Sequence, residues 1–69
     1  MTTYIDKLFR GYGEEFFGKP AMNRVTDEQV SEARCAAFQA TCELTEKYGK
    51  QEPGTVKELF RNYVFECFM

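Results

Sequence analysis

Between Thr26 and Gly49 the apolar residues Val30, Ala33, Ala37, Ala40, Leu44 and Tyr48 return at three- and four-residue steps. That is the repeat of one face of an α-helix. Thr26 with Gln29 three residues on is a capping-box pattern, in which a hydroxyl and a side-chain amide satisfy backbone groups left open at a helix start. Asp27 and Glu28 place negative charge on the positive end of the helix dipole, and Gly49 supplies the residue that a left-handed stop favours. Cys35, Phe38 and Cys42 make a second apolar ridge, so this helix is expected to touch two neighbours. Its alanines at 33, 36, 37 and 40 allow another helix to come close.

Ahead of it, Tyr4, Ile5, Leu8, Phe9, Tyr12 and Phe16 fall on one broad face, with Asp6, Lys7, Arg10 and Glu14 off it and Thr2 or Thr3 as a cap. The weak point is Gly11-Tyr12-Gly13, because each glycine costs about 1 kcal/mol relative to alanine inside a helix. Gly18-Lys19-Pro20 reads as the end of this segment, and residues 21–25 as a connection anchored by Met22 and Val25. Val25 and Val30 flank the Thr26 cap at the spacing of a hydrophobic staple. After a charged turn from Lys50 to Gly54, Thr55 and Glu58 repeat the capping-box pattern. Val56, Leu59, Phe60, Tyr63, Val64, Cys67 and Phe68 then continue at helical spacing. Phe65 lies off that stripe and Met69 extends it, so residues 63–69 hold one charge, Glu66. A tail apolar on more than one face enters a core from two sides or meets another molecule.

The pattern therefore predicts an all-α fold: one compact three-helix domain over residues 1–69, with helices near Thr3 to Phe17, Thr26 to Tyr48 and Thr55 to Phe68, the central one longest. The expected core is Ile5, Leu8, Phe9, Val30, Ala37, Leu44, Leu59, Phe60 and Val64.

Composition changes this picture in three ways. A chain of 69 residues buries a smaller share of its surface than a larger one, so its stability margin is narrow and a partner or second copy would add to it. Seven Phe and four Tyr are many for this length, and aromatics dominate interfaces as well as cores. Nine basic against eleven acidic side chains give a net charge of −2, which exerts no bulk pull towards nucleic acid or an anionic membrane. Three cysteines do not all pair within one chain, and Cys35 and Cys42 lie too far apart along one helix to bridge. All three are expected to be reduced thiols in the core or at an interface, in a reducing, cytoplasmic compartment. No stretch reads as a signal peptide or a membrane span.

Candidate chemistry is sparse. There is no histidine for acid–base work or for a Cys/His zinc site, Ser31 is the lone serine, and the cysteines stand among apolar residues or glutamates that do not activate a thiol. The expectation is a non-enzymatic protein with no cofactor, metal or small-molecule substrate. Residues 44–49 followed by 55–59 resemble a helix-turn-helix, which implies a dimeric DNA-binding regulator acting through Thr55 to Phe68, with Lys57, Arg61 and Asn62 as the DNA-facing residues. Thr45 where that motif favours alanine, a turn about one residue long in excess, and Lys50 in an apolar turn position depart from it. The leading expectation is a small protein-binding module, an inhibitor or accessory factor that docks stoichiometrically on a larger macromolecule. Tyr63, Phe65, Phe68, Met69, Glu43 and Glu46 are its candidate contact residues, and homodimerisation is a further expectation.

Overall fold

The computed structural model describes residues 4–69, and the proposed Thr2 or Thr3 cap lies outside them. Four helices follow in order: α1 (Tyr4–Phe17), α2 (Lys19–Met22), α3 (Asp27–Tyr48) and α4 (Pro53–Glu66), with no strand among the described residues. The all-α class stands, whereas the count of three helices is corrected to four. Gly18, at φ 87°, breaks α1, but the chain at once begins a new helical turn. Pro20 sits in that first turn, where its missing N–H is no loss.

The expected long helix is present with both its ends. Gln29 N–H donates to Thr26 Oγ1 at 3.1 Å and Thr26 N–H donates to Gln29 Oε1 at 2.9 Å, a complete capping box. Gly49 ends it at φ 90°, its N–H bonded to the Thr45 carbonyl. At 22 residues and ~1.5 Å per residue, α3 is about 33 Å long and sets the 36 Å long axis of the molecule.

The expected start of the last helix at Thr55 is corrected to Pro53. Proline's fixed φ suits the first helical turn, so the helix begins there with Glu52 as its cap, and the Thr55 side chain is not called on. The helical ladder ends at Glu66 instead of Phe68, with residues 67–68 in a turn.

α3 and α4 form an antiparallel pair: Gln29 and Ala33 face Tyr63 and Cys67 at one end, Ala40 and Leu44 face Leu59 at the other. α1 lies against both. Its Phe9 ring meets Phe38 of α3 and Phe60 of α4 edge-on at centroid distances of 5.4 and 5.0 Å, and Tyr12 at 5.2 Å. Around Phe9 the core is Met22, Val25, Val30, Ala33, Ala37, Phe60 and Val64. Full burial of side chains such as Phe60, Met22, Val30 and Val64 is worth roughly 1.5–3 kcal/mol each before ordering costs.

Ile5 and Leu8, expected inside, are 45% and 43% exposed, and Leu44 and Leu59 are only half-buried. Asp6 is buried in their place, 5% exposed, because Arg34 reaches it from α3 and donates from Nε to Oδ1 at 2.6 Å. A buried carboxylate is tolerable only with such a partner. That pair turns α1 so that the Asp6 and Phe9 edge points inward. Arg10 fastens the next turn: its guanidinium donates to the Met22 and Val25 carbonyls, each at 2.8 Å, and to Asp27 at 2.9 Å. It thereby ties α1 to the link between α2 and α3. The glycine pair does not interrupt α1. Gly13 leaves room for Met22, whose Sδ and Cε would lie 2.7 and 2.5 Å from a Cβ placed there.

Candidate partner-binding surface

Folding divides the expected contact residues among three places. The first is an open cleft of about 280 Å³ between the start of α3 and the end of α4. Ala33 and Ala36 of α3 line it. Half-buried Tyr63 of α4 lines it too, with Gln29, Cys67, Glu32 and Glu66. Neither glutamate has a cation within ion-pair distance among the described residues. Their charge is felt inside: burial first, then Glu32, then Glu66 push the Cys67 thiol above its ordinary range. The Cys67 sulfur donates weakly to the Tyr63 carbonyl at 3.8 Å, although the residue as a whole is exposed. A protonated thiol between two carboxylates is a poor nucleophile.

The second place gathers Phe65 and Phe68 of the tail with the end of α1, and Met69 follows Phe68 in the chain. The Phe17 ring lies 5.2 Å from Phe68, 6.5 Å from Phe65 and 6.3 Å from Phe16. Phe65 is 53% exposed, Phe68 38%, Phe16 36% and Met69 84%. The third is at the far end of the α3–α4 seam, where Glu43 and Glu46 border a cleft of about 410 Å³ with Leu44, Lys47, Tyr48 and Leu59. The six residues thus belong to separate surfaces. Glu32 and Glu66 had no marker in the sequence as a pair, since nothing local announces which glutamates meet across two helices.

Two of the three residues assigned to DNA contact, Lys57 and Arg61, are engaged within the molecule. The Lys57 ammonium sits 4.4 Å from the Tyr12 ring centroid and 3.9 Å from Glu15. The Arg61 guanidinium lies 5.9 Å from the Phe16 centroid and 3.6 Å from Glu58. Asn62 is exposed.

Cys35, Cys42 and Cys67 are free and all exposed, so of the two places expected for them, core or interface, the core is excluded. Of the second ridge on α3, Phe38 touches the core at its edge, meeting Phe9 with the Arg34 guanidinium 5.7 Å from its ring centroid, and is itself 39% exposed. No group of three or more potential metal ligands is assembled among the described residues, and no helix there is long and apolar enough to cross a membrane.

Fold and surface together define a class, a small all-α protein whose longest helix carries open clefts along its seam with a neighbour. Comparison with protein-family models, with curated proteins and with solved structures finds no match to this chain.

Proposed function

We propose that this protein is a non-enzymatic docking module that binds a larger protein stoichiometrically, as an inhibitor or accessory factor. The observation that carries the reading is the cleft between α3 and α4, lined by Ala33, Ala36, Tyr63, Glu32 and Glu66, with no cation within ion-pair distance of either glutamate among the described residues. An aromatic ring with two carboxylates suits a lysine or arginine side chain, whose stem lies on the ring while its head meets the charges. The partner is therefore a protein with a basic residue standing out from its surface. Opposite charge on the two sides speeds encounter and sets register.

Affinity capture from the native cell, run in parallel with the wild-type protein and a Glu32→Lys/Glu66→Lys variant, tests this. The expected result is one protein recovered near one-to-one with wild type and lost with the variant at unchanged helical content. Recovery that charge reversal leaves intact overturns the reading, as does retention of duplex DNA with a steep salt dependence.

A further inference from the structure

We infer that the docked segment is a basic amphipathic helix of the partner, laid along one groove that joins the two clefts of the α3–α4 seam. This rests on the docking reading and deepens it, naming the segment that docks and a second point of contact. The two clefts lie on the same side of the seam. From α3 the first takes positions 29, 32, 33 and 36 and the second takes 40, 43, 44 and 47. Each set is the i, i+3, i+4, i+7 pattern of one helix face, and the second repeats the first three turns further on, to within about 20°. On α4, Leu59 of the second cleft and Tyr63 of the first are neighbours one turn apart. Phe38, which meets Phe9 of α1, stands nine residues from both Gln29 and Lys47, half a turn round the axis at about 100° per residue. The groove therefore opens on the side of α3 away from α1.

Charge and shape select the occupant. The charged side chains lining the clefts are Glu32, Glu43, Glu46 and Glu66 against Lys47, and none of them is within ion-pair distance of an opposite charge among the described residues. The rest of the chain holds eight basic and seven acidic side chains, so the net charge of −2 arises on this one face. A nucleic acid, or the same groove of a second copy, is repelled there, whereas a basic segment is drawn in. Between the carboxylates the α3 lining is Ala33, Ala36, Ala40 and Leu44. Small side chains let another helix approach closely, and α1 shows this helix pair already accepting one across its other side, with Phe9 between Phe38 and Phe60. From Gln29 to Lys47 the groove runs about 27 Å at ~1.5 Å per residue, room for a helix of about 18 residues. Glu32 and Glu43 stand roughly 16 Å apart along it by the same rise. The partner helix thus carries an apolar stripe with basic residues towards both ends, about three turns apart.

Fluorescence anisotropy with labelled synthetic peptides of about 18 residues tests this. One has alanine and leucine on one helical face and a lysine pair about three turns from a second lysine pair; one has glutamate for every lysine; one is the lysine peptide with a central proline, which breaks the helix. The lysine peptide is expected to bind in the micromolar range, about 100 µM or tighter at low salt, and more weakly as salt rises. The glutamate peptide should not bind, and the proline peptide should bind at least about tenfold more weakly. Glu32→Lys/Glu66→Lys and Glu43→Lys/Glu46→Lys should each weaken binding of the lysine peptide by about tenfold or more, since like charges then face each other. Glu14→Lys/Glu52→Lys makes the same change of net charge outside both clefts and should cost less than about threefold. All four cleft glutamates are exposed, and circular dichroism confirms that each variant keeps its fold. No binding of the lysine peptide, equal binding of the proline peptide, or an equal loss with Glu14→Lys/Glu52→Lys overturns the inference. So does self-association of the chain alone that both cleft reversals change, which puts a second copy in the groove. Native capture that fails with Glu32→Lys/Glu66→Lys but is indifferent to Glu43→Lys/Glu46→Lys removes the groove and leaves the docking reading standing.

Discussion

Asp6 has no reason to be buried that is visible in its neighbours, for it sits between Ile5 and Lys7 on a helix rich in apolar residues. Arg34 supplies the reason, and the pair then decides which edge of α1 goes inward. Glycine at 13 has the same kind of explanation. Its α1 neighbour Gly11 has nothing within 4 Å of where a Cβ would stand, while at Gly13 that atom would overlap the thioether of the wholly buried Met22. Two substitutions of identical chemistry should therefore part company. Gly11→Ala is expected to stabilise the fold by about 0.5–1 kcal/mol through reduced backbone entropy. Gly13→Ala gains the same propensity but meets an overpacking cost of about 1–3 kcal/mol, leaving it at or below wild type. Urea unfolding of the two variants decides the matter, and equal shifts in midpoint would refute the packing role of Gly13.

Two capping-box patterns occur in the chain, and only one forms. At Thr26 both reciprocal hydrogen bonds are made; at Thr55 the helix has already begun two residues earlier, at Pro53, and the Thr55 N–H bonds the Glu52 carbonyl. Replacing a working cap by alanine costs about 1 kcal/mol, within a range of 0.5–2. Thr26→Ala is expected to lose that much, and Thr55→Ala less than about 0.5 kcal/mol, as for a surface substitution away from any special feature. Thermal melts of the two variants check this, and a larger loss at Thr55 would place the start of α4 elsewhere. The helices also differ in how much of their length is used. α1 and α4 have 14 residues each against 22 in α3, so the last turn of α3, residues 45–48, stands in solvent.

Across the whole molecule, the α3–α4 seam makes one electrostatic unit from residues far apart in the chain. Glu32 and Glu66 both raise the Cys67 thiol pKa, after burial of the sulfur. Removing a negative charge makes the thiolate easier to form, lowers that pKa and enlarges the reactive fraction at any pH below it. Glu32→Gln is thus expected to accelerate iodoacetamide labelling of Cys67 at pH 8, with the rate of both proteins rising as pH increases. Mass spectrometry of the labelled peptide reads the change at Cys67 alone. An unchanged rate would show that Glu32 does not act on the cleft, and would weaken the case for a basic partner side chain there.

What the sequence determines by itself is the set of long helices, because helical periodicity, caps and glycine stops are interactions within a few residues. Thr26 to Gly49 carries all of them and folds as read. Val25 is also legible as an anchor, from the staple spacing around Thr26, whereas Met22, expected in a connection after a proline stop, is the last residue of α2. Tertiary structure alone decides which face of α1 is inside, since neighbouring positions on a helix differ by about 100° and a single long-range ion pair is enough to choose between them. It also decides that Phe16 and Phe17 join the C-terminal aromatics while Glu43 and Glu46 lie elsewhere, and that Glu32 and Glu66 share a cleft. These groupings depend on how three helices are set against one another, and spacing along the chain holds no record of that.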